Sequence, residues 1–254
     1  MKTLAVIILT RDEEENITEV VKNAKQCTDE VLVVDSGSKD KTCPLAREAG
    51  ARVVTRLWDG DFSAQRNFAL KQTKADWVLY LDADERLMPE CIQHIGRILQ
   101  MGTADAQYRI KRKTVSFGAI FQYGALYPDY VIRMFPREQV VWVNPVHEHS
   151  ECPLPTKTMD GYLRHYAYRD LNEWIEKLKL YTSIWAENAY RDGKRVSAAV
   201  PLAHALVGTF RVLILKAGFL DGWPGIYMCI NHFFYTLMKY LKLRELQRKE
   251  SEKL

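Results

Sequence analysis

Residues 77–86 read Trp-Val-Leu-Tyr-Leu-Asp-Ala-Asp-Glu-Arg, an apolar run that ends in two acidic residues, Asp82 and Asp84. The run predicts a buried strand, and acidic groups at its carboxyl end would lie where open α/β sheets bind ligands. On an extended backbone, Asp82 and Asp84 would point the same way and could together hold a hard divalent cation. Taken alone, the pattern is equally typical of a strand followed by an acidic turn.

Three further apolar runs precede this stretch, at Leu4–Leu9, Glu30–Val34 and Arg52–Thr55, and segments with helical periodicity separate them. Short buried strands that alternate with helices indicate a parallel sheet covered by helices. After about residue 105, strand-like pieces broken by glycine and proline predict mixed or antiparallel pairing. We therefore expect an α/β fold with a Rossmann-like mixed sheet flanked by helices.

The C-terminal part has a different character. Residues 170–191 have the spacing of an amphipathic helix, and residues 201–243 are dense in large apolar and aromatic side chains. The longest stretch without Lys, Arg, Asp or Glu, Gly222–Met238, is shorter than the roughly 20 residues that a spanning helix needs, so a surface-lying anchor or a dimer interface fits better. We expect a catalytic domain over 1–168 and a helical, aromatic-rich, basic extension over 169–254.

The charge of the chain is concentrated at this end. The 254 residues include 36 Lys and Arg against 32 Asp and Glu, a formal net charge of +4. The surplus lies in residues 201–254, whereas the first 200 residues are balanced. So small an excess does not indicate a nucleic-acid-binding surface, and no nucleic-acid partner is expected.

The five cysteines are scattered and form no Cys-x-x-Cys pair, so they predict neither a zinc site nor a redox site. A reducing cytoplasm is the simplest setting for them. The run Leu4–Leu9 is too short for a signal-peptide core, and we interpret it as the first strand of a protein that stays where it is made.

Polar residues also follow the first two predicted strands. Strand one ends in Thr10-Arg-Asp-Glu-Glu14, and strand two ends in Asp35-Ser-Gly-Ser-Lys-Asp-Lys-Thr42. The carboxyl ends of parallel strands meet at one edge of a sheet, so these residues should lie near Asp82. Three adjacent strands with such ends predict a nucleotide pocket.

Together with Gln65-Arg66-Asn67, these motifs resemble the family 2 glycosyltransferases of GT-A fold over about residues 3–90. Later motifs resemble the branch that includes the lipopolysaccharide core β-1,4-glucosyltransferases: Trp58–Phe62, Arg133–Pro136, Val146–Glu148 and Gly218–Gly222.

This resemblance implies an inverting transfer from a nucleotide-diphosphate sugar, with Mg²⁺ or Mn²⁺ at the Asp-x-Asp motif. Asp82 would contact the ribose or the metal, Asp84 would bind the metal directly, and Arg66 would face the nucleotide or its phosphates. Four residues would line the base and the ribose: Thr10, Arg11, Glu13 and Asp35. Many relatives carry a second Asp after strand two, where this chain has Ser36.

The transfer needs a base for the acceptor hydroxyl, and Glu148 is the candidate. Its neighbours His147 and His149 could supply a metal ligand or an acceptor contact, and His147 is the predicted ligand. A surface glutamate in a polar loop is the alternative interpretation. Arg133 lies in an apolar strand and should pair with an acid, either the donor diphosphate or a structural carboxylate.

These observations predict a metal-dependent glycosyltransferase, peripheral at the cytoplasmic face of the inner membrane. UDP-glucose as donor and an inner-core heptose of a lipid-linked saccharide as acceptor are the specific expectation, with the C-terminal segment contacting the membrane surface or a second copy in a homo-oligomer. A sugar-1-phosphate nucleotidyltransferase is the first alternative, but residues 10–15 lack the glycine-rich phosphate loop it normally needs. A non-catalytic membrane adaptor is the second, against which the intact Asp82, Asp84 and Glu148 argue.

Overall fold

A computed structural model describes residues 2–145, 148–168 and 170–251 of the chain. In chain order its strands are β1 (Leu4–Thr10), β2 (Glu30–Asp35), β3 (Arg52–Thr55), β4 (Trp77–Asp82), β5 (Glu85–Leu87), β6 (Gln107–Ser116), β7 (Ala119–Ile120), β8 (Asp129–Pro136), β9 (Val141–Val143), β10 (His149–Glu151) and β11 (Thr156–Tyr168). Its helices are α1 (Ile17–Ala24), α2 (Thr42–Glu48), α3 (Phe62–Leu70), α4 (Pro89–Met101), α5 (Leu171–Arg191), α6 (Val200–Phe210) and α7 (Gly222–Ser251).

The chain forms two compact units. The first comprises Met1–Arg112 and Asp129–His165, and the second comprises Lys113–Pro128 and Tyr166–Leu254. The second unit thus takes in a segment from the middle of the chain, which an uninterrupted division at residue 168 does not anticipate. The predicted domain boundary itself stays a prediction.

The main sheet has the strand order β3-β2-β1-β4-β8-β6-β11-β5. β1 pairs in parallel with β2 and β4, β2 pairs in parallel with β3, and β8 joins β4 antiparallel. The switch to antiparallel pairing falls after residue 105, as predicted. The predicted fold class, an α/β Rossmann-like mixed sheet flanked by helices with a helical C-terminal extension, is confirmed.

The strands β1, β2 and β4 are buried on both faces of this sheet. Ile8 packs with Ile17 of α1 and Ile95 of α4 on one face, whereas Ile7 packs with Ala69 of α3 on the other. Successive side chains of a strand point to opposite faces, so β1, apolar on both, needs a helical layer on each side. This arrangement fixes the sheet edge on which the candidate site is built.

The second unit is dominated by helices α5, α6 and α7. Its core cluster is small and consists of Ala186, Ala189, Tyr240 and Leu243, with partly buried residues around it. Within the described part of the chain, no helix by itself has the length and apolarity to cross a bilayer. One pair of helices, Val200–Leu215 and Gly218–Glu250, reaches that length and apolarity only when the two are taken together, and it is bent by 68°.

Candidate active site

The carboxyl ends of β1, β2 and β4 lie side by side. Thr10 is in register with Asp35, and Leu9 is in register with Asp82. The parallel register therefore brings three of the predicted site residues to one edge of the sheet.

The carboxylate of Asp35 is buried and faces its own loop. One oxygen accepts hydrogen bonds from the backbone N–H groups of Gly37 (2.9 Å) and Ser38 (3.0 Å), and the other accepts from the Ser38 hydroxyl (2.5 Å). Gly37 adopts φ +99°, a conformation that side chains other than hydrogen rarely allow. Asp35 thus organises the loop after β2, and its predicted contact with base or ribose stays a prediction.

A pocket of about 370 Å³ opens beside these strand ends, and eight residues line it: Leu9, Thr10, Arg11, Glu13, Ser36, Trp58, Phe62 and Gln65. The Trp58 and Phe62 rings meet edge to face with centroids 4.5 Å apart. The pocket therefore combines aromatic surface with polar groups, a composition typical of small-molecule sites. Thr10, Arg11 and Glu13 were predicted in this role, whereas Leu9, Phe62 and Gln65 were not predicted as binding groups.

Three consecutive residues of α3 connect the pocket to the rest of the site. The Gln65 amide donates to the backbone carbonyl of Arg56 (2.7 Å), and the Arg66 guanidinium lies over the Trp142 ring, 4.5 Å from its centroid. Asn67 exchanges hydrogen bonds with the backbone of Trp142 in β9 at 2.7 and 3.0 Å. Because β9 pairs with β10, α3 holds the hairpin whose connection contains Glu148.

Charged side chains of alternating sign form a chain of ion pairs at this edge. In order, its members are Glu148, Arg66, Asp82, Arg133, Glu85, Arg112 and Asp129. Arg66 lies 3.3 Å from Glu148 and 3.9 Å from Asp82. Arg133 contacts Asp82 directly and lies 2.6 Å from Glu85. The predicted residues Glu148, Arg66, Asp82 and Arg133 are therefore brought together.

Arg133 is buried, and the acids it meets are carboxylates of the chain. Its guanidinium is shared between Asp82 and Glu85. Its predicted contact with the donor diphosphate stays a prediction. Charge pairing of this kind offsets the cost of burying a guanidinium.

The pKa values of Asp82 and Glu85 are shifted in opposite directions. Burial disfavours the charged form of Asp82, but the attraction of Arg133 and Arg66 outweighs it and lowers the pKa of Asp82. Burial of Glu85, reinforced by repulsion from Asp82, outweighs the attraction of Arg133 and raises the pKa of Glu85. Of these two neighbouring carboxyl groups, Asp82 is thus the one whose charged form is favoured by its surroundings.

Asp84 does not lie on extended backbone. The strand ends at Asp82, and residues 83–84 form a turn, so the expectation that alternation would orient Asp82 and Asp84 alike is wrong. The turn places Asp84 beside β11, where its carboxylate oxygen is 3.3 Å from His165 Nε2. No group of three potential metal-binding His, Cys, Asp or Glu side chains occurs within residues 2–145, 148–168 and 170–251. His147, the predicted ligand, lies outside the described residues.

Four charged residues of this edge were not predicted as site residues: Glu85, Arg112, Asp129 and His165. Glu85 directly follows the Asp-x-Asp motif, and this position was the available signal for it. Arg112 and His165 come from β6 and β11 and carried no such signal, because pairing between distant strands cannot be read from spacing.

Comparison with known proteins gives concordant matches. The family model for Glycosyl transferase family 2 matches residues 5–147, more than half of the chain. A glycosyltransferase of Rickettsia typhi is 27% identical over 270 residues, covering 98% of this chain and 89% of the relative. The lipopolysaccharide core biosynthesis glycosyltransferase LpsC of Rhizobium meliloti is 26% identical over 231 residues, covering 86% of this chain and 82% of LpsC.

Among solved structures, glucosyl-3-phosphoglycerate synthase from Mycobacterium tuberculosis in complex with Mg²⁺ and uridine-diphosphate covers 77% of this chain and 81% of that chain. The two are 20% identical and superpose with a TM-score of 0.46.

Proposed function

Because the chain belongs to glycosyl transferase family 2, we propose that its sheet-edge site transfers glucose from UDP-glucose to a lipid-linked saccharide, with inversion at the anomeric carbon. The observation that supports this most is the joining of the aromatic pocket at Thr10 and Trp58 to the charged chain that contains Asp82 and Glu148. A donor needs a site for its base and a separate, charged site for its diphosphate and sugar.

The pocket of about 370 Å³ is the proposed base and ribose site. Trp58 and Phe62 present aromatic surface on which a nucleobase can stack, and Thr10, Glu13 and Gln65 offer polar groups for its edge. Arg11 is exposed and stands at the pocket wall, where a phosphate is its natural partner.

A hard divalent cation of the Mg²⁺ or Mn²⁺ type is the proposed cofactor at the end of β4. Such ions take carboxylate oxygens, and at nucleotide sites one or two carboxylates suffice because phosphates and water complete the set. Asp84 would hold the ion, and Asp82, already charged beside Arg133, would be the second ligand. The ion would neutralise charge on the departing diphosphate.

Glu148 is the proposed general base. Its side chain is 20% exposed, and its Oε1 lies 3.3 Å from a guanidinium nitrogen of Arg66. As the acceptor hydroxyl oxygen attacks the anomeric carbon, Glu148 takes the proton and the diphosphate leaves from the opposite face. Arg66, between Glu148 and Asp82, then lies where an incoming donor phosphate competes for its charge.

The acceptor is proposed from two supports. A relative that matches most of the chain acts in lipopolysaccharide core biosynthesis by its name, and the C-terminal residues 201–254 carry the chain's excess of positive charge. An inner-core heptose of such a saccharide is the proposed acceptor, and the cytoplasmic face of the inner membrane is the proposed location, where the protein would be peripheral.

A nucleotide-sugar binding screen tests this proposal. Wild-type protein is heated with UDP-, GDP- and ADP-sugars, each with Mg²⁺, with Mn²⁺ or with EDTA, because a ligand that binds only the folded state raises its apparent stability. UDP-glucose with metal should give the largest rise in Tm. The Asp84→Asn variant should lose the metal-dependent part, whereas Asp105→Asn, an exposed acid paired with Lys157, should behave as wild type. No stabilisation by any UDP-sugar would contradict the proposal.

A further inference from the structure

Helices α6 and α7 and the segment between them carry large apolar side chains that the second unit leaves exposed. Leu215 and Trp223 are each 71% exposed, and Leu206, Phe210, Phe219 and Tyr227 are exposed as well. Between residues 200 and 238 the charged residues are Arg211, Lys216 and Asp221 alone. Apolar surface of this extent is rare on a monomeric soluble protein and marks an interaction site.

The two helices form an antiparallel hairpin. A Cβ on Gly218 would lie 3.0 Å from the Cys229 sulfur, and one on Gly208 would lie 2.9 Å from His232 Nε2. Further from the turn, the His204 and Tyr240 rings are 4.8 Å apart.

Side chains also join the two helices at the open end of the hairpin, which is the end opposite the turn. Arg195, just before α6, pairs with Glu250 of α7 at 3.2 Å, and the Val196 N–H donates to Gln247 Oε1 at 3.3 Å. Residues further along α7 contact residues closer to the start of α6, as in an antiparallel pair. Arg195 and Glu250 therefore lie at the same end of the hairpin.

The turn of the hairpin is built from close backbone contacts. A Cβ on Gly225 would overlap the Gly218 carbonyl oxygen, and a Cβ on Gly124 would lie 3.3 Å from Gly218 Cα. The Asp221 carboxylate accepts hydrogen bonds from the backbone N–H groups of Gln122 and Tyr123, each at 3.0 Å. Asp221, the one acid of residues 200–238, thus accepts hydrogen bonds from within the second unit. The other charged residues of this segment, Arg211 and Lys216, are positive and can face a partner.

We propose that this hairpin, residues 195–250, lies in the plane of one leaflet of an anionic bilayer, with its apolar face in the acyl-chain boundary and Arg211 and Lys216 at the headgroups. The inference rests on the membrane-linked acceptor of the proposed function. Val200–Leu215 is about 24 Å long at 1.5 Å per residue, less than the roughly 30 Å of a hydrocarbon core.

The placement of charge selects this orientation. Arg211 and Lys216 are exposed at the turn, and Lys194 and Arg244 are exposed at the open end. Positive groups at both ends would have to reach headgroups, which a hairpin lying flat achieves at both ends together. Trp223 and Tyr227 are also the side chains that favour the membrane interface. A second copy of the chain is the less favoured partner, since Arg211 and Lys216 offer it no opposite charge.

Co-sedimentation with vesicles tests the proposal. The full chain should sediment with phosphatidylglycerol-containing vesicles, less at high salt, and weakly with phosphatidylcholine alone. Leu215→Glu and Trp223→Glu should each weaken partitioning about tenfold or more, because each removes a buried apolar side chain. Met101→Glu is the matched control: Met101 is 60% exposed at the end of α4 in the first unit, and this variant should bind as wild type.

Depth and competing outcomes are resolved separately. Trp223 fluorescence, taken as the difference between wild type and Trp223→Phe, should be quenched more by lipids brominated near the headgroup than by lipids brominated near the bilayer centre. Stronger quenching from the centre would overturn the in-plane orientation. Equal vesicle binding by Leu215→Glu and wild type, or a wild-type dimer that Leu215→Glu converts to monomer without any vesicle binding, would overturn the membrane assignment.

UDP release from UDP-glucose, measured on the same samples, separates the two proposals. If no UDP is released, the proposed sugar transfer is contradicted but the bilayer proposal is not, because co-sedimentation with vesicles depends only on the hairpin.

Discussion

The two units of the chain place their large apolar side chains in opposite positions. In the first unit, Ile7, Ile8 and Trp77 are fully buried on the two faces of the sheet. In the second, the buried cluster includes Ala186 and Ala189, while side chains such as Leu215 and Trp223 stand exposed. The first unit buries most of its large apolar side chains, whereas the second leaves many of its own exposed.

Their charges differ in the same way. The first unit gathers charge into a chain of seven alternating residues at the sheet edge, where Glu85 and Arg133 are buried. In the second, ion pairs such as Arg195–Glu250 and Lys249–Glu245 lie on the surface. The proposed chemistry therefore lies in the unit with buried charge, and the proposed bilayer contact lies in the unit with exposed apolar surface.

Breaking the buried chain of ion pairs in the first unit should cause the largest loss in the free energy of unfolding. Glu85→Ala leaves the Arg133 guanidinium with one of its two carboxylates, and we expect a loss of about 3–5 kcal/mol in the free energy of unfolding. Glu250→Ala, the matched change in the second unit, removes an exposed pair and should cost far less. Urea denaturation followed by tryptophan fluorescence measures both. Equal losses would show that burial does not distinguish the two units.

A methyl group at the hairpin turn should have an intermediate effect. Gly225→Ala would place its Cβ against the Gly218 carbonyl and 2.9 Å from Asp221 Cβ, and such overpacking costs about 1–3 kcal/mol. Cys229 is buried beside this turn, so its alkylation rate, resolved by mass spectrometry, should rise.

Gly96→Ala in α4 is the control for that change. A Cβ at Gly96 would have no neighbour within 4 Å among the described residues, and replacing glycine inside a helix should stabilise the first unit by about 1 kcal/mol. The reactivity of Cys229 should not change. An unaltered Cys229 in Gly225→Ala as well would argue against a rigid turn.

The smallest loss of stability is expected from a change at Asp76, which directly precedes β4. Asp76 accepts hydrogen bonds from the Thr3 N–H and the Lys2 ammonium, which lower its pKa to about 2. A depressed pKa contributes stability that is present above the ordinary value near 4 and is lost as the pH falls through about 2.

Asp76→Asn should therefore cost about 1 kcal/mol at pH 7, because the carboxylate is partly exposed and solvent screens it. The difference from wild type should shrink as the pH approaches 2. Unfolding free energies measured between pH 7 and pH 2 provide the test, and a difference that stays constant with pH would contradict it.

The bounds of the strands that are buried on both faces could be predicted to within one residue. β1, β2 and β4 are continuous apolar runs, and such runs are what a two-sided buried position requires. β11 was missed because much of Thr156–Tyr168 is exposed and polar, and β5 was missed because three residues give no periodicity.

The site could be predicted where it follows from strand order and not where it depends on distant pairing. Asp35 and Asp82 follow predicted strands, so their meeting at one edge was foreseeable. The pairing of Arg133 with Glu85 joins residues 48 positions apart, and only the fold reveals it. The turn at Ala83–Asp84 was also hidden, because Asp-x-Asp is compatible with either an extended or a turned backbone.

The most direct test of the account is UDP release from UDP-glucose in the presence of Mn²⁺ and a heptose-containing acceptor. Wild-type protein should release UDP, and Glu148→Gln should be about 10²–10⁴-fold slower while binding the donor as tightly. Asp84→Asn should lose UDP release and the metal-dependent part of donor binding, with an unchanged Tm in the absence of ligand. Undiminished release by both variants would contradict the assignment of the reaction to this edge of the sheet.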